Sequence, residues 1–366
     1  MFRLKYINGA VNQNEIYTFN NFPRQHSVFV FCAEFYVLWR LCGLFAIKKG
    51  LVFWILVFIS SIALVGAVIL QHSFDNIASK IIFAAATDWY GVLWLLFSTL
   101  IVYEAARLFF KINPSAAGIG ILIIAAIATI YSMVNAQLIY IKKLTIPGNI
   151  DCNIVQMSDI HLGSVSGHFL KRVIERTNAL NPELILITGD MVDNLNKSTQ
   201  QALEALKDLK APVLFVTGNH EIYSGSENIT KFLTTVNVKV LRNELVNYNG
   251  LQVIGVDYGV RGKTLEQIIQ GLNIDKSKFC ILMSHQPVDL ETLSRLPVNL
   301  TLSGHTHYGQ IFPFNYVVGL FRRPLSGLHK EGNNYLYITS GTGTWGARMR
   351  LGSRSEIVSI QIRKYP

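Results

Sequence analysis

Cysteine and charged residues are both scarce in this sequence. Its 366 residues include four cysteines, and none of them has the C-x-x-C spacing of thiolate metal or redox sites. Free thiols that pack as small hydrophobic groups account for all four. Charged residues make up 15% of the chain, whereas a soluble domain carries about 25%. The low charge excludes an ordinary soluble protein, and the apolar excess lies before residue 147.

Three long apolar runs make up most of that excess. They are Leu51–Gln71, Ile81–Tyr103 and Ala116–Ile141, and the single charge within them is Asp88. A helix needs about 20 apolar residues to cross the hydrocarbon core, so each run is long enough. We predict an α-helical transmembrane region over residues 1–147, and no cleavable signal peptide before it.

A fourth span at Ser27–Ile47 is an open alternative. This segment is apolar and aromatic, but it contains Glu34 and Arg40. Charges are costly at the bilayer centre, so spanning the membrane and packing at its interface or within the bundle both remain open. The number of transmembrane helices is therefore three or four.

Basic residues near the span ends predict the orientation of the chain. The first group lies before the run that starts at Leu51 and before the run that starts at Ala116, and it comprises Arg40, Lys48, Lys49, Arg107 and Lys111. The second, smaller group on the opposite side comprises Lys80, Lys142 and Lys143. Because basic residues concentrate on the cytoplasmic side, we predict an integral protein of the cell (inner) membrane with its second half outside the cytoplasm.

Five short strings in that second half place metal-binding side chains directly after apolar runs. The runs are Ile154–Met157, Leu184–Ile187, Val213–Val216, Phe279–Met283 and Leu300–Leu302. The strings that follow them are Asp159-Ile160-His161, Gly189-Asp190, Gly218-Asn219-His220-Glu221, Ser284-His285 and Gly304-His305-Thr306-His307. Loops at strand ends present their side chains to one shared crevice, so we expect these strings to converge.

The donor atoms in these strings indicate a dinuclear metal site. The expected ligands, which leave out His220, are two Asp carboxylates, one Asn amide and four imidazoles. This mixture suits Mn, Fe or Zn and disfavours a closed structural zinc site. Asp190 is the best candidate to bridge two ions. Ions about 3.5–4 Å apart can clamp the attacking and leaving oxygens of an in-line phosphoryl displacement and acidify a bridging water. The sequence therefore predicts hydrolysis of a phosphate ester.

The order of the strings resembles the calcineurin-like metallophosphoesterase family. That family shows D-x-H, G-D-x-x-D, G-N-H-[E/D], H and G-H-x-H, and all five occur here in order, with Asp193 completing the second. The late stretches Gly341–Gly346 and Arg350-Leu351-Gly352 are similar to the membrane-linked branch that contains bacterial YkuE- and YaeI-type enzymes. The resemblance covers about residues 150 to 366.

The resemblance implies a ligand set for each ion and a fold. One ion would take Asp159, His161, Asp190 and His307, and the other would take Asp190, Asn219, His285 and His305. The implied fold is a four-layer α-β-β-α sandwich over residues 148–366, whereas the alternation of strands and helices alone supports only α/β or α+β. Leu144–Asn149, with its proline and glycine, is expected to be the linker.

Two residues beside the ligands have predicted roles of their own. His220 follows Asn219, and we predict that it protonates the leaving alkoxide, a general-acid role worth about 10²–10⁴ in rate. Capping the following turn is the alternative. Asp193 is expected to orient a metal-bound imidazole, as such ligands usually require, and a solvated loop carboxylate is the alternative.

The segment Ile311–Leu328 is unusually apolar and follows the last ligands directly. It includes Phe312, Phe314 and Phe321, and a pair of arginines follows Phe321. One interpretation is a buried strand or loop of the second sheet. The other is an apolar lip that dips into the membrane interface beside the site, with Arg322 and Arg323 at the level of the headgroups.

These observations together predict a membrane-anchored two-metal phosphoesterase with a metal-bridging water as nucleophile. Its substrate is expected to be a phosphodiester or a lipid-linked phosphate ester, with membrane lipids as partners. The enzyme alternative is a UDP-diacylglucosamine-type pyrophosphatase of lipid A synthesis, which needs a cytoplasmic active site. The alternative from another class is a non-catalytic metal-binding membrane scaffold or sensor. We expect no nucleic-acid partner, because no platform of interleaved aromatic and basic residues is present.

Overall fold

The computed structural model describes residues 30–260 and 262–364, and its chain divides into two units. The described residues up to Asn135, together with Gly346–Leu351, form a helical unit. Ala136–Trp345 and the residues from Gly352 onward form a sheet unit.

The helical unit contains four long helices. They are α1 (residues 30–44), α2 (Leu51–Ser73), α3 (Ile77–Ala106) and α4 (Pro114–Gln137). Asn76 fixes the start of α3 by accepting a hydrogen bond from the backbone N–H of Ser79 at 2.9 Å. Pro114 suits the first position of α4, where its missing N–H costs no helical bond. Among the described residues, α2, α3 and α4 are long and apolar enough to cross a membrane. The three predicted runs are therefore helical, except that the third continues past Gln137 into β1.

The charges in the apolar segments are paired within the helical unit. Glu34 of α1 is buried and accepts a hydrogen bond from Trp89 Nε1 at 2.9 Å. Arg40 forms an ion pair with Glu104 of α3. Residues 27–29 of the fourth candidate span lie outside the described residues, and the described part packs its charges against α3 rather than exposing them.

Asp88 is the one charge inside the predicted second span, and it also has a partner. Arg348 donates to its carboxylate from Nε at 3.1 Å and from Nη2 at 2.5 Å, and the backbone N–H of Arg348 donates at 2.8 Å. A charge at this position is costly unless it is paired. The segment Gly346–Leu351 supplies that pair.

The sheet unit contains two six-stranded sheets. The strands are β1 Ile139–Gly148, β2 Cys152–Met157, β3 Leu184–Ile187, β4 Val213–Phe215, β5 Val238–Val240, β6 Glu244–Tyr248, β7 Leu251–Val256, β8 Phe279–Ser284, β9 Leu300–Ser303, β10 Gly327–Glu331, β11 Asn334–Ile338 and β12 Ser355–Lys364. The first sheet has the order β1-β12-β2-β3-β4-β5, and the second has the order β10-β11-β9-β8-β7-β6. Strands β2 to β5 are parallel to one another, and so are β7, β8, β9 and β11.

Short helices connect these strands. They are α5 Gly167–Asn178, α6 Lys197–Leu203, α7 Asn219–Tyr223, α8 Ser226–Thr235, α9 Leu265–Gln270, α10 Leu290–Arg295 and α11 Phe314–Phe321, with 3₁₀ turns at Glu204–Asp208 and His307–Gly309. Side chains of α5, α6 and α8 pack on the outer face of the first sheet, and those of α9 and α10 pack on the second.

A buried layer of aliphatic side chains joins the two sheets. Ile154 and Leu186 of the first sheet pack there against Val253 and Ile281 of the second. Successive strand residues point to opposite faces, so Val155 lies instead in the outer layer against the helices. Each such fully buried side chain contributes about 1.5–3 kcal/mol to the free energy of unfolding. The layers are therefore helix, sheet, sheet and helix, and the predicted four-layer α-β-β-α sandwich is confirmed.

The expected linker at Leu144–Asn149 is instead part of a strand. Residues Ile139–Gly148 form β1, which pairs in parallel with β12 along its whole length, and Ile146 is fully buried. A proline is tolerated in β1 because this strand lies at the edge of its sheet. The boundary predicted after residue 147 thus falls within β1, and one residue, Leu138, separates α4 from the strand.

Candidate metal centre

All seven predicted donor residues meet at one edge of the sandwich. They follow the carboxyl ends of three parallel strands of the first sheet and two of the second, namely β2, β3, β4, β8 and β9. Three groups of ligand atoms each lie within 4.8 Å of one another, and the groups are Asp159, His161 and His307; His161, Asp190 and His220; and Asp190, His285 and His305. Asp190 and His161 each belong to two groups, so the donors form one continuous cluster.

Five of the seven donor residues have a left-handed backbone. The values of φ are 53° for Asp159, 54° for His161, 52° for Asp190, 72° for His305 and 49° for His307. This conformation costs about 1–3 kcal/mol for a residue with a side chain and persists where the surroundings impose it. Here neighbouring loops are bonded together, because the backbone N–H of His161 donates to the carbonyl of Asp190 at 3.0 Å. The strain is concentrated at the site, as expected for a functional geometry.

Two motif glycines allow the loops to approach the carboxylates. A Cβ on Gly218 would lie 2.2 Å from Asp190 Oδ1, and one on Gly304 would lie 2.2 Å from Asp159 Oδ2. Both distances are far inside van der Waals contact. The glycines therefore let the backbone of one loop rest directly on the ligand of another.

In the first half of the cluster, two imidazole nitrogens lie close to each other. His161 Nδ1 donates to Asp193 Oδ1 at 2.8 Å, so Nε2 of the neutral ring carries a lone pair. That Nε2 lies 3.0 Å from His307 Nε2, and Asp159 Oδ1 lies 3.4 Å from the same His307 atom. Lone pairs this close repel one another unless a cation or proton lies between them. A divalent ion fits this position.

The second half repeats the arrangement around Asp190. His285 Nδ1 donates to the carbonyl of Thr188 at 2.8 Å, which leaves Nε2 as the free donor atom. This Nε2 lies 3.2 Å from Asp190 Oδ2 and 3.1 Å from Asn219 Oδ1. His305 Nδ1 lies 2.9 Å from the same amide oxygen. A second cation fits here, and Asp190 Oδ2 faces both halves because it is also 3.7 Å from His161 Nε2.

The electrostatics of the cluster favour cations. Burial opposes ionisation of Asp190, but the charge and hydrogen bond of His285 hold its pKa well below the usual range. Burial also opposes the charged form of His285, yet Asp190 raises its pKa to about 9. Burial raises the pKa of Asp159, against the attraction of His285. The negative potential that would hold a proton on His285 will also hold a metal ion, and the donor set fits two divalent cations.

His220 lies beside the cluster and is held by Asp193. His220 Nδ1 is 3.1 Å from Asp193 Oδ1, the same oxygen that accepts from His161. The other carboxylate oxygen accepts from the Ser164 backbone N–H at 2.9 Å and hydroxyl at 2.6 Å. Burial opposes both charges, but the bond to Asp193 raises the pKa of His220 to about 9. His161, and after it His220, holds the pKa of Asp193 far below its usual range. The structure thus gives Asp193 fixed partners in place of the solvated-loop alternative.

Sequence analysis assigned no role to Glu221. Its carboxylate is fully buried and accepts backbone N–H groups of Gly218 at 2.7 Å, Asp190 at 2.9 Å and Met191 at 2.8 Å. These bonds join the loop that carries Asp190 to the loop that begins α7. The acidic residue at the end of the G-N-H-[E/D] motif was the available signal, and the structure shows it to be a positioning residue.

Aromatic side chains surround the cluster. Trp345 and Tyr223 both lie near His220, with ring centroids 5.9 Å and 5.8 Å from it, and each is 54% exposed. Gln310 holds the backbone of Trp345 through hydrogen bonds of 3.0 Å and 2.9 Å. Tyr258 lies 5.9 Å from the ring of His285 at the opposite end. Sequence reasoning missed this rim because its members are widely separated along the chain.

Comparison with known proteins agrees with the geometry. The Calcineurin-like phosphoesterase family model matches residues 152–309. A Helicobacter pylori metallophosphoesterase is 36% identical over 233 residues, which cover 61% of this chain and 62% of that protein. A Danio rerio transmembrane protein with metallophosphoesterase domain is 31% identical over 274 residues, covering 66% of this chain and 62% of that protein.

A third relative is covered more completely. The Bacillus subtilis metallophosphoesterase YkuE is 30% identical over 249 residues, which cover 61% of this chain and 83% of that protein. By contrast, the chain spans 62% of the length of the Helicobacter pylori relative. The motif resemblance to this group is confirmed, and the chain belongs to the calcineurin-like metallophosphoesterase family.

Proposed function

We propose that the protein is a membrane-anchored two-metal phosphoesterase. The observation that carries this proposal is the convergence of seven donor residues around Asp190 Oδ2, with His220 held beside them. One ion would be held by Asp159, His161, Asp190 and His307, and the other by Asp190, Asn219, His285 and His305. When bound, the two ions supply Lewis-acid stabilisation of the phosphoryl group and lower the pKa of a water.

The protein's own residues orient the site and move a proton. Asp193 fixes the rings of His161 and His220 through one carboxylate oxygen. We propose that His220 donates its proton to the leaving oxygen as the phosphorus–oxygen bond breaks, so that the product leaves as a neutral alcohol. Asp193 then faces a neutral imidazole, which regains its proton from solvent before the next turnover.

Metal-dependent turnover tests this function directly. Full-length protein in detergent is expected to hydrolyse bis-p-nitrophenyl phosphate when supplied with Mn, Fe or Zn, and to lose that activity in a chelator. Restoring the metal should restore the rate, because the donor residues are provided by a folded scaffold. Two bound ions per chain without turnover of this ester, and of the monoester, would support the scaffold or sensor alternative instead.

The membrane context favours a substrate at a lipid surface. Helices α2, α3 and α4 are long enough to span, and a relative is named as a transmembrane protein. One residue separates α4 from β1, so the sheet unit is joined to the last span by a very short connection. We therefore propose a phosphodiester or lipid-linked phosphate ester as the substrate class.

The side of the membrane separates this proposal from the pyrophosphatase alternative. From the basic residues at the span ends we propose an extracytoplasmic site. The exposed Lys239 of β5 changed to Cys, with Cys32→Ser and Cys42→Ser, should react with an impermeant maleimide in intact cells. Cys152 and Cys280 are buried and serve as internal background. Labelling only after the membrane is opened would place the site in the cytoplasm and favour the pyrophosphatase.

A further inference from the structure

Helix α11 presents an apolar face to solvent beside the metal centre. Within it Leu320 is 78% exposed, Tyr316 67% and Phe321 65%, and Gly319 is its buried residue. Phe312, just before the helix, is 46% exposed. The interpretation as a buried strand or loop is therefore wrong for Phe314–Phe321, which form an exposed helix, although Gly327 and Leu328 begin β10 of the second sheet. Contiguous exposed apolar surface of this kind marks an interaction site.

The helix is firmly attached to the loop that carries the last ligands. Thr306 lies between His305 and His307, and its hydroxyl donates to the carbonyl of Leu325 at 2.6 Å. A Cβ on Gly309 would lie 2.5 Å from the backbone of Asn315, which shows how closely the ligand loop and α11 pack. Ile311 also forms a β-bridge with Gly352. The apolar face of α11 is thus exposed, although the chain is held in place both before and after the helix.

The charge of this segment indicates what covers the face. No acidic residue occurs between Gly304 and Lys330, whereas Arg322 and Arg323 follow α11 directly. Arg323 Nε donates to the carbonyl of Gly319 at 3.0 Å, which ties its guanidinium to the end of the helix. The backbone N–H of Arg322 donates to the carbonyl of Val318 at 3.0 Å, whereas its guanidinium has no hydrogen bond or ion pair among the described residues. Aromatic and aliphatic side chains next to basic ones are typical of a helix that lies in the interface of an anionic membrane.

We propose that α11, with Phe312, Arg322 and Arg323, is a membrane-contacting surface that rests in the headgroup region of an anionic bilayer. The partner is the lipid surface itself, because the same chain carries three helices able to span a bilayer and because the basic residues complement anionic headgroups. Bilayer contact does not depend on catalysis. Only its consequence, delivery of phosphate esters from the lipid surface to the adjacent ligand loop, rests on the proposed function.

A fluorescent label on α11 tests the contact in the full-length protein. Leu320→Cys, with Cys32→Ser and Cys42→Ser, is labelled with an environment-sensitive dye and placed in nanodiscs of phosphatidylcholine and phosphatidylglycerol. Emission at residue 320 is expected to shift to the blue and to lose most of its intensity when nitroxide-bearing lipids are included. The same dye at Lys239→Cys, an exposed polar strand position, should show neither effect.

Two results would overturn the proposal. A water-like spectrum at residue 320 would show that the face does not meet the bilayer, and a blue shift without quenching by lipid nitroxides would show that protein covers it. Arg322→Gln with Arg323→Gln should reduce the quenching at residue 320, whereas the exposed pair Lys207→Gln with Lys210→Gln should not. Since no turnover is measured, failure here leaves the metal-dependent assay as a separate test of the phosphoesterase.

Discussion

Asp190→Asn is expected to lose bound metal and hydrolytic activity together. The substitution keeps the shape of the side chain but removes the negative charge that faces both halves of the cluster, where Asp190 Oδ2 lies 3.2 Å from His285 and 3.7 Å from His161. The Asn219 amide already supplies one neutral oxygen there, so a second amide leaves too little charge to balance two divalent ions. Several kcal/mol of Lewis-acid stabilisation depend on those ions, and about 4 kcal/mol corresponds to a loss of about 10³ in rate.

Elemental analysis of the purified variant provides the decisive measurement. We expect about two ions per chain in the parent protein and a clear deficit in the variant at the same metal concentration. Asp208→Asn is a matched control, because Asp208 is exposed and lies outside every ligand string. Full metal occupancy with full turnover in Asp190→Asn would contradict the assignment of this residue as the bridge.

The strands and the donor cluster were predictable because two local signals coincide in the sequence. The apolar run Leu184–Ile187 matches β3 residue for residue, and the Gly189-Asp190 motif begins after one intervening residue. Parallel strands bring their carboxyl ends to one edge, so the order of the strings was sufficient to predict that Asp190 and His285 meet. No comparable rule predicts which aromatic residues line the rim, and Trp345 reaches His220 through tertiary packing alone.

The ends of helices and strands were harder to predict where the surroundings of a residue override its usual conformational preference. Pro147 and Gly148 indicate a linker by composition, yet an edge strand accommodates both. Helix α6 begins at Lys197 because Asn196 and Thr199 form a capping box there, upstream of its apolar residues. The run around α11 has no polar face that would distinguish a buried strand from a helix at an apolar surface.

The second large effect is expected for His220→Ala, which should lower turnover while both metal ions stay bound. Removal of the imidazole leaves Asp193 bonded to His161 at 2.8 Å and to Ser164 at 2.9 Å. The orientation of the ligand ring should therefore survive, and we expect the variant to keep both ions. His168→Ala is the matched control, since this histidine is exposed and lies outside the cluster.

The size of the loss should depend on the leaving group, because only a poor leaving group needs a proton. For alkyl phosphate esters we expect turnover to fall by about 10²–10⁴, the usual contribution of a general acid. For p-nitrophenyl esters, whose phenolate leaves without protonation, the fall should be distinctly smaller. Equal losses on the two classes, with both ions retained, would mean that His220 acts mainly by stabilising charge on the phosphoryl oxygens. Loss of metal with the imidazole would instead assign His220 to the ligand set, since its ring lies in one group with His161 and Asp190.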